Sequence, residues 1–269
     1  MKIAICFSGQ IREMHKSFDY WKKITEEYNL DVYGSFWERT EEEKLSEDIT
    51  QEELFYKLNP IKCEWENPHN FESSVVSVFR EEIIEKFSIN DMWPLTPDLL
   101  ESTRECRFFY LWYKVMKCNS LCQDKNYDIV IRTRTDIYFE PFPDLEINGY
   151  LNLVWGCTFN DKWLNNGGPP DQFAYGSQKN MNYYSSLFIY LSRYLKEGAY
   201  MFPPENILKT HLMQFKITLR QLPSRLHYFK DDGCFNQAWG VTNILFSEPY
   251  NYPKEIDPIY SFYRERYSN

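Results

Sequence analysis

The chain opens on an apolar, β-rich run, Lys2-Ile3-Ala4-Ile5-Cys6-Phe7, which Ser8-Gly9-Gln10 breaks before an amphipathic stretch from Ile11 to about Tyr28 and a second β-rich run from Leu30 to Trp37. Strand, tight turn, helix, strand in that order predicts a β-α-β crossover and the start of a parallel sheet. This opening constrains the fold more than any other feature, because a parallel pair is buried on both faces and needs helices on each side. It also indicates where function would sit. Open sheets of this kind bind ligands beyond the carboxyl ends of their strands, here Ser8-Gly9-Gln10 and Ser35-Phe36-Trp37.

Downstream, Glu38 to Glu53 carries eight acids against Arg39 and Lys44 and reads as a solvated loop and helix face. Ile61 to Glu66 is a further strand and Ser73 to Phe87 a helix. Pro94 and Pro97 then precede the longest helical pattern, Asp98 to about Lys125. Within it Phe108, Leu111, Trp112, Val115, Met116 and Cys122 recur at helical steps as a core stripe.

The most informative stretch runs from Tyr127 to Glu140. It begins as a buried strand and then acquires charge, and strand alternation would place Arg132, Arg134 and Asp136 on one face. Two guanidiniums and a carboxylate beside an apolar strand are costly unless they pair with one another or bind something charged. Asp136 can be read as the partner of an arginine, or as a ligand for Mg2+ or Mn2+, which favour hard oxygen donors. Pro141 and Pro143 end the strand pairing. Tyr150 to Trp155 is another strand, Cys157 to Pro170 a polar loop, Asp171 to Ser177 a strand and Gln178 to Lys196 a helix. Pro203-Pro204-Glu205-Asn206 opens one more helix, with Glu205 in the first turn where the helix dipole favours an anion. The remainder, to Asn269, reads as aromatic and irregular, and with no repeat or linker one domain is expected over residues 1–269.

Composition narrows the function classes. Lys and Arg number 30 against 39 Asp and Glu, and a net charge of −9 argues against a duplex nucleic-acid binder. The 21 Tyr, 20 Phe and 8 Trp suit both a core and a site that stacks sugars or bases. There is no transmembrane-length apolar run and no signal-peptide pattern, the seven cysteines are scattered, and no Asn-x-Ser/Thr acceptor occurs. A cytoplasmic protein is the resulting expectation. Cys118 and Cys122 lack the matching pair that a zinc site needs. The dinucleotide, P-loop, zincin and hydrolase-elbow motifs are all absent, and none of the four histidines pairs with another at metal-ligand spacing.

Three segments in series, Ile-Cys-Phe-Ser8-Gly9-Gln10-Ile-Arg12, Asp31-Val-Tyr-Gly-Ser-Phe36-Trp37 and Tyr127-Asp-Ile-Val-Ile-Arg132-Thr-Arg134-Thr-Asp136, resemble small GT-A-fold glycosyltransferases of bacterial surface-polysaccharide synthesis and of large DNA viruses. The resemblance spans roughly residues 1 to 215. It implies an α/β fold, GT-A-like or Rossmann-like, with a mixed, mostly parallel sheet flanked by helices. Residues 1–140 would form the nucleotide-sugar half and 141–269 the acceptor half. The implied activity is transfer of a sugar from a nucleotide-diphosphate sugar, with a UDP-sugar the leading donor, to a glycan hydroxyl, in a bacterial cytosol or an infected host cell.

By the same resemblance Ser8, Gly9, Gln10 and Arg12 would hold the nucleotide, Trp37 would stack on the base, and Arg132 and Arg134 would face the diphosphate. Asp136 would be the surviving carboxylate of an Asp-x-Asp motif that here reads Arg134-Thr135-Asp136, binding Mn2+ or Mg2+, with His227 a candidate further ligand. Asp171, after a Gly-Gly-Pro-Pro loop, and Glu205 are the two acids for the acceptor hydroxyl. The rival readings are a sugar nucleotidyltransferase and a non-catalytic glycan- or partner-binding domain of the same fold.

Overall fold

The structure, a computed structural model, describes residues 1–38, 50–71, 107–154, 169, 171–196, 204–222, 224–228 and 245–246. The opening residues form β1 (Ile3–Gln10), α1 (Met14–Glu27) and β2 (Asp31–Trp37), the predicted crossover unit, with β1 and β2 parallel. β1 is buried along nearly its whole length, as a run of Ile, Ala, Cys and Phe requires of a strand covered on both faces. After β2 come α2 (Gln51–Tyr56), β3 (Lys62–Glu66) and the short α3 (Pro68–Phe71). Thr50 and Glu53 start α2 with a capping box, each side chain accepting the other's backbone N–H, at 3.1 and 2.8 Å.

The long helical pattern is realised as α4 (Arg107–Ser120) followed by a 3-10 turn at Gln123–Lys125; its expected start at Asp98, and the helix expected at Ser73 to Phe87, lie outside the described residues. The chain then forms β4 (Ile129–Thr133), β5 (Ile137–Glu140), β6 (Leu151–Leu153) and β7 (Ala174–Gly176). The helix expected from Gln178 to Lys196 is two, α5 (Gln178–Ser185) and α6 (Leu187–Lys196), and the following helix is α7 (Pro204–Gln214). β8 (Leu219–Gln221), β9 (Arg225–Tyr228) and β10 (Leu245–Phe246) come from the part that reads as irregular in sequence.

The strands form one mixed sheet in the order β10-β8-β6-β7-β4-β1-β2-β3, with β5 and β9 as a separate antiparallel ribbon. The run β4-β1-β2-β3 is parallel throughout, whereas β7 is antiparallel to both β4 and β6. Helices cover both faces, so the protein is α/β. On one face α4, α5, α6 and α7 bury Trp112, Val115, Tyr184, Leu191 and Leu208 against Cys6, Tyr33 and Val130. On the other, α1 and α2 bury Trp21 and Phe55 against Ile5, Phe7 and Ile131. Side chains of this size each stabilise by about 1.5–3 kcal/mol when fully buried. Among the described residues no helix is long and apolar enough to cross a membrane.

Candidate functional site

The strand order places the site. From β1 the chain moves outward through β2 to β3, then returns through α4 to β4 on the other side of β1. The order therefore reverses between β1 and β4, and an open α/β sheet has its ligand crevice at such a point, beyond the carboxyl ends of the strands. Those ends are Ser8-Gly9-Gln10-Ile11-Arg12 and Thr133-Arg134-Thr135-Asp136.

Thr135 ties the two ends together. Its hydroxyl accepts from the Arg12 backbone N–H at 3.0 Å and donates to the Arg12 carbonyl at 2.8 Å, while its own carbonyl accepts from Trp21 Nε1 at 3.2 Å. Gly9, next to last in β1 and still paired with Phe36 of β2, takes a φ of +108°, a conformation that side chains rarely adopt. Gln10 and Arg12 are exposed just beyond it, and Arg12 donates through Nε and Nη2 to Gln10 Oε1 at 3.0 and 2.7 Å.

On the sheet face that meets α4, several buried donors have no acceptor. Arg132 in β4 lies opposite Cys6 in β1, so Arg132 and Ser8, two residues beyond Cys6, project to the same side; Trp37 in β2, two beyond Ser35 and its partner Ser8, does too. The Arg132 guanidinium is 2% exposed. Its Nη1 donates to the Asp171 carbonyl, which also accepts from Tyr184 Oη at 3.5 Å, yet its Nε and Nη2 have no hydrogen-bond partner. Ser8 Oγ and Trp37 Nε1 are likewise buried and unsatisfied, as is Trp112 Nε1 on α4. A buried cation with an unmet edge is expensive for an empty protein and well suited to one that takes an anion there.

Arg134 and Asp136 do not share a strand face with Arg132, because β4 ends at Thr133. They sit in the turn beyond it and pair with each other: Arg134 Nε donates to Asp136 Oδ1 at 2.8 Å and Nη2 to Oδ2 at 2.5 Å, a bidentate fork. Asp136 is nearly buried. This arrangement does not fit a divalent cation. Both carboxylate oxygens already accept from a guanidinium, and among the described residues no group of three or more His, Cys, Asp or Glu is placed to hold a metal.

Trp37 corrects an expectation. It is not an open platform for a base but a core side chain, its ring stacked on Tyr113 at 5.7 Å and packed against Phe71 and Tyr110. The Lys114 ammonium lies 4.3 Å from its centroid. Lys114 is fully buried and pairs with Glu66 Oε2 at 2.5 Å, and Glu66 also accepts from Tyr113 Oη at 3.0 Å. Burial lowers the Lys114 pKa, with Glu66 opposing that shift. Burial pushes Glu66 up, but Lys114 and Tyr113 outweigh it and hold the carboxyl below its usual range. The aromatic residues of sequence pattern and the charges of α4 and β3 thus form one internal cluster at the carboxyl edge.

Of the two acids, Asp171 stands beside Arg132, and its backbone carbonyl carries the observed contacts. Glu205 is in α7, as expected, and its side chain lies outside the described residues. His227 is in β9 of the ribbon, opposite Tyr138 of β5 and stacked on it at 4.7 Å. Its Nε2 is 3.7 Å from Glu140. Thr135 is the feature that residue reading alone does not find. The only hint of Thr135 is its place between two charged residues, and its contact with Arg12 spans most of the first half of the chain. No protein-family model matches the chain, and no curated protein matches it.

Proposed function

We infer that this chain is a nucleotide-sugar-dependent glycosyltransferase whose donor diphosphate sits in the crevice between β1 and β4. The observation that carries the reading is the unmet edge of Arg132. Nε and Nη2 are the two donors of one side of the guanidinium, spaced to take two oxygens of a phosphate, while Nη1 is anchored on the Asp171 carbonyl. Ser8 Oγ adds a third free donor on the same sheet face, and the Gly9 turn brings backbone close to the ligand without a Cβ in the way. Trp37 Nε1 and Trp112 Nε1 are further unsatisfied donors on this face, beside the unsatisfied amide oxygens of Asn119 and Gln178. The parallel strands, the reversal point and the turn after β1 agree with the GT-A-like architecture that the sequence resembles.

In the transfer, the acceptor hydroxyl oxygen bonds to the anomeric carbon while the bond from that carbon to the diphosphate oxygen breaks, its electron pair leaving on the phosphate. Arg132 stabilises the charge that develops there, which is the kind of preorganised electrostatic effect that contributes most to such steps. The acceptor proton passes to a carboxylate, for which Asp171, whose backbone carbonyl holds Arg132, is the first candidate and Glu205 the second. Incubating the protein with UDP-, GDP-, CDP- and ADP-sugars and following nucleoside diphosphate release tests the reading. Release from one donor, lost in Arg132→Met, supports it. No release together with no binding by any nucleoside diphosphate contradicts it.

A further inference from the structure

We propose that Cys6 and Cys122 are an oxidation site, at which hydrogen peroxide joins the two sulfurs in a disulfide that ties β1 to the end of α4. The proposal does not depend on the nucleotide-sugar reading and concerns thiols that the transfer does not use.

Alternation along β1 sends Ala4 and Cys6 to the face that α4 covers and Ile3, Ile5 and Phe7 to the other, while Cys118 and Cys122, four apart, continue the inward stripe of α4. Ala4 and Cys6 are small, so the helix comes close, and Cys118 Sγ donates to the Phe7 carbonyl of β1 at 3.2 Å. Three free thiols, Cys6, Cys118 and Cys122, are thereby buried together. Cys6 Sγ and Cys122 Sγ lie 3.8 Å apart. A disulfide bond is about 2.05 Å long, so the two side chains share a movement of about 1.8 Å. Cys122 can supply its part, because it lies between the end of α4 at Ser120 and the 3-10 turn at Gln123–Lys125 rather than inside a helix. Cys118 is held on the Phe7 carbonyl, whereas Cys6 makes a loose contact of 3.9 Å with the Cys118 carbonyl and is free to turn toward Cys122.

Contact with Cys118 raises the Cys6 thiol well above its usual pKa, and contact with Cys6 and burial raise that of Cys122, while a hydrogen bond from Gln178 favours the Cys122 thiolate. Thiolate is scarce as a result and the reaction is slow. The Cys122 sulfur attacks one oxygen of the peroxide, the O–O bond breaks and hydroxide leaves, giving a sulfenic acid. The Cys6 sulfur then attacks the Cys122 sulfur, the S–O bond breaks, and that oxygen leaves with a proton as water. Two thiols and one peroxide give one disulfide and two waters, the electron pair passing from sulfur to oxygen. Hydrogen peroxide is the oxidant that fits, since it is little larger than water and the thiols are deeply buried.

The test treats the full chain with hydrogen peroxide for several hours, blocks the remaining thiols with iodoacetamide in urea, and maps the unreduced tryptic peptides by mass spectrometry. The peptide that holds Cys6 should be joined to the one that holds Cys122, with fragment ions placing the bond on Cys122, and dithiothreitol should separate them. The same crosslink should form in Cys118→Ala and be lost in Cys122→Ala. The pairing is read in the wild-type chain, so the test stands even where a variant fails to fold. Because the bond closes a long loop of the unfolded chain, it should raise Tm by about 4 °C or more, and dithiothreitol should reverse the rise. A bond from Cys6 to Cys118, sulfinic acid in place of a crosslink, Cys6 and Cys122 both still open to iodoacetamide, or a Tm unmoved or lowered by the crosslink overturns the proposal.

Discussion

Replacing Arg132 by Met should make the empty protein more stable while removing its ligand binding. In the structure the guanidinium makes one hydrogen bond, Nη1 to the Asp171 carbonyl, and leaves Nε and Nη2 buried without partners. Losing a hydrogen bond to a charged group costs about 1.5–3 kcal/mol, whereas removing two buried unsatisfied donors recovers about 1–3 kcal/mol each. The Asp171 carbonyl still has Tyr184 Oη at 3.5 Å, and Met places apolar atoms beside the neighbouring Cys6 and Ala174. The balance favours the variant by about 2 kcal/mol, in line with the behaviour of buried charges replaced by apolar side chains. For a chain of this size that raises Tm by about 4–8 °C. Calorimetry and urea unfolding of both proteins without ligand measure it. A variant less stable than wild type by about 1 kcal/mol or more would mean that the guanidinium is already satisfied, and the argument for an anion at this point would fall.

Thr135→Val keeps the shape of the side chain but leaves the Arg12 backbone N–H without its acceptor and loosens the two strand ends, so it should cost about 1–3 kcal/mol in urea unfolding. Gly34→Ala should be strongly destabilising, because a Cβ there would lie 2.7 Å from the rings of Phe36 and Phe55 and 2.8 Å from Cys63 Sγ; a melting curve within a degree of wild type would refute the packing described. His211, buried between Tyr194 and the Tyr183 carbonyl, has its pKa lowered by desolvation from 6.5 to about 4. The unfolded chain therefore takes up this proton first as pH falls, so stability declines between about pH 6.5 and pH 4, by about 3 kcal/mol in all, and this part of the decline should vanish in His211→Gln.

The parts of this fold written in local pattern were legible in the sequence. Lys2 to Phe7, the Ser8-Gly9-Gln10 turn and the amphipathic stretch after it give β1, α1 and β2, since a switch from strand to helix periodicity needs no long-range information. The core stripe of α4, with Trp112 and Val115 fully buried, was equally plain. Pairings between distant segments were not. β9 lies beside β5 and β8 beside β6 across most of the second half of the chain, in stretches too short to announce themselves as strands. At the site, the types of residue were legible and their partners were not. Strand alternation would have put Arg134 and Asp136 on the Arg132 face, but β4 stops at Thr133 and the turn lets the two close on each other. Trp37 ends a strand that points at the crevice, yet the aromatic rings of α3 and α4 and the ammonium of Lys114 enclose it. The helix break at Ser186 also lacked a signal, since neither Gly nor Pro marks it.

The most direct test of the central claim is nuclear magnetic resonance of protein labelled at isoleucine δ-methyls, titrated with the nucleoside diphosphates. Ile11 lies in the turn after β1, Ile137 opens β5 directly after Asp136, Ile131 lies one residue before Arg132, and Ile24, Ile189 and Ile207 report on α1, α6 and α7. The account predicts that one nucleotide shifts Ile11, Ile131 and Ile137 and leaves Ile24, Ile189 and Ile207 in place, and that Arg132→Met abolishes the shifts. Perturbations centred on Ile189 or Ile207, or an unchanged spectrum with every nucleotide, would contradict it.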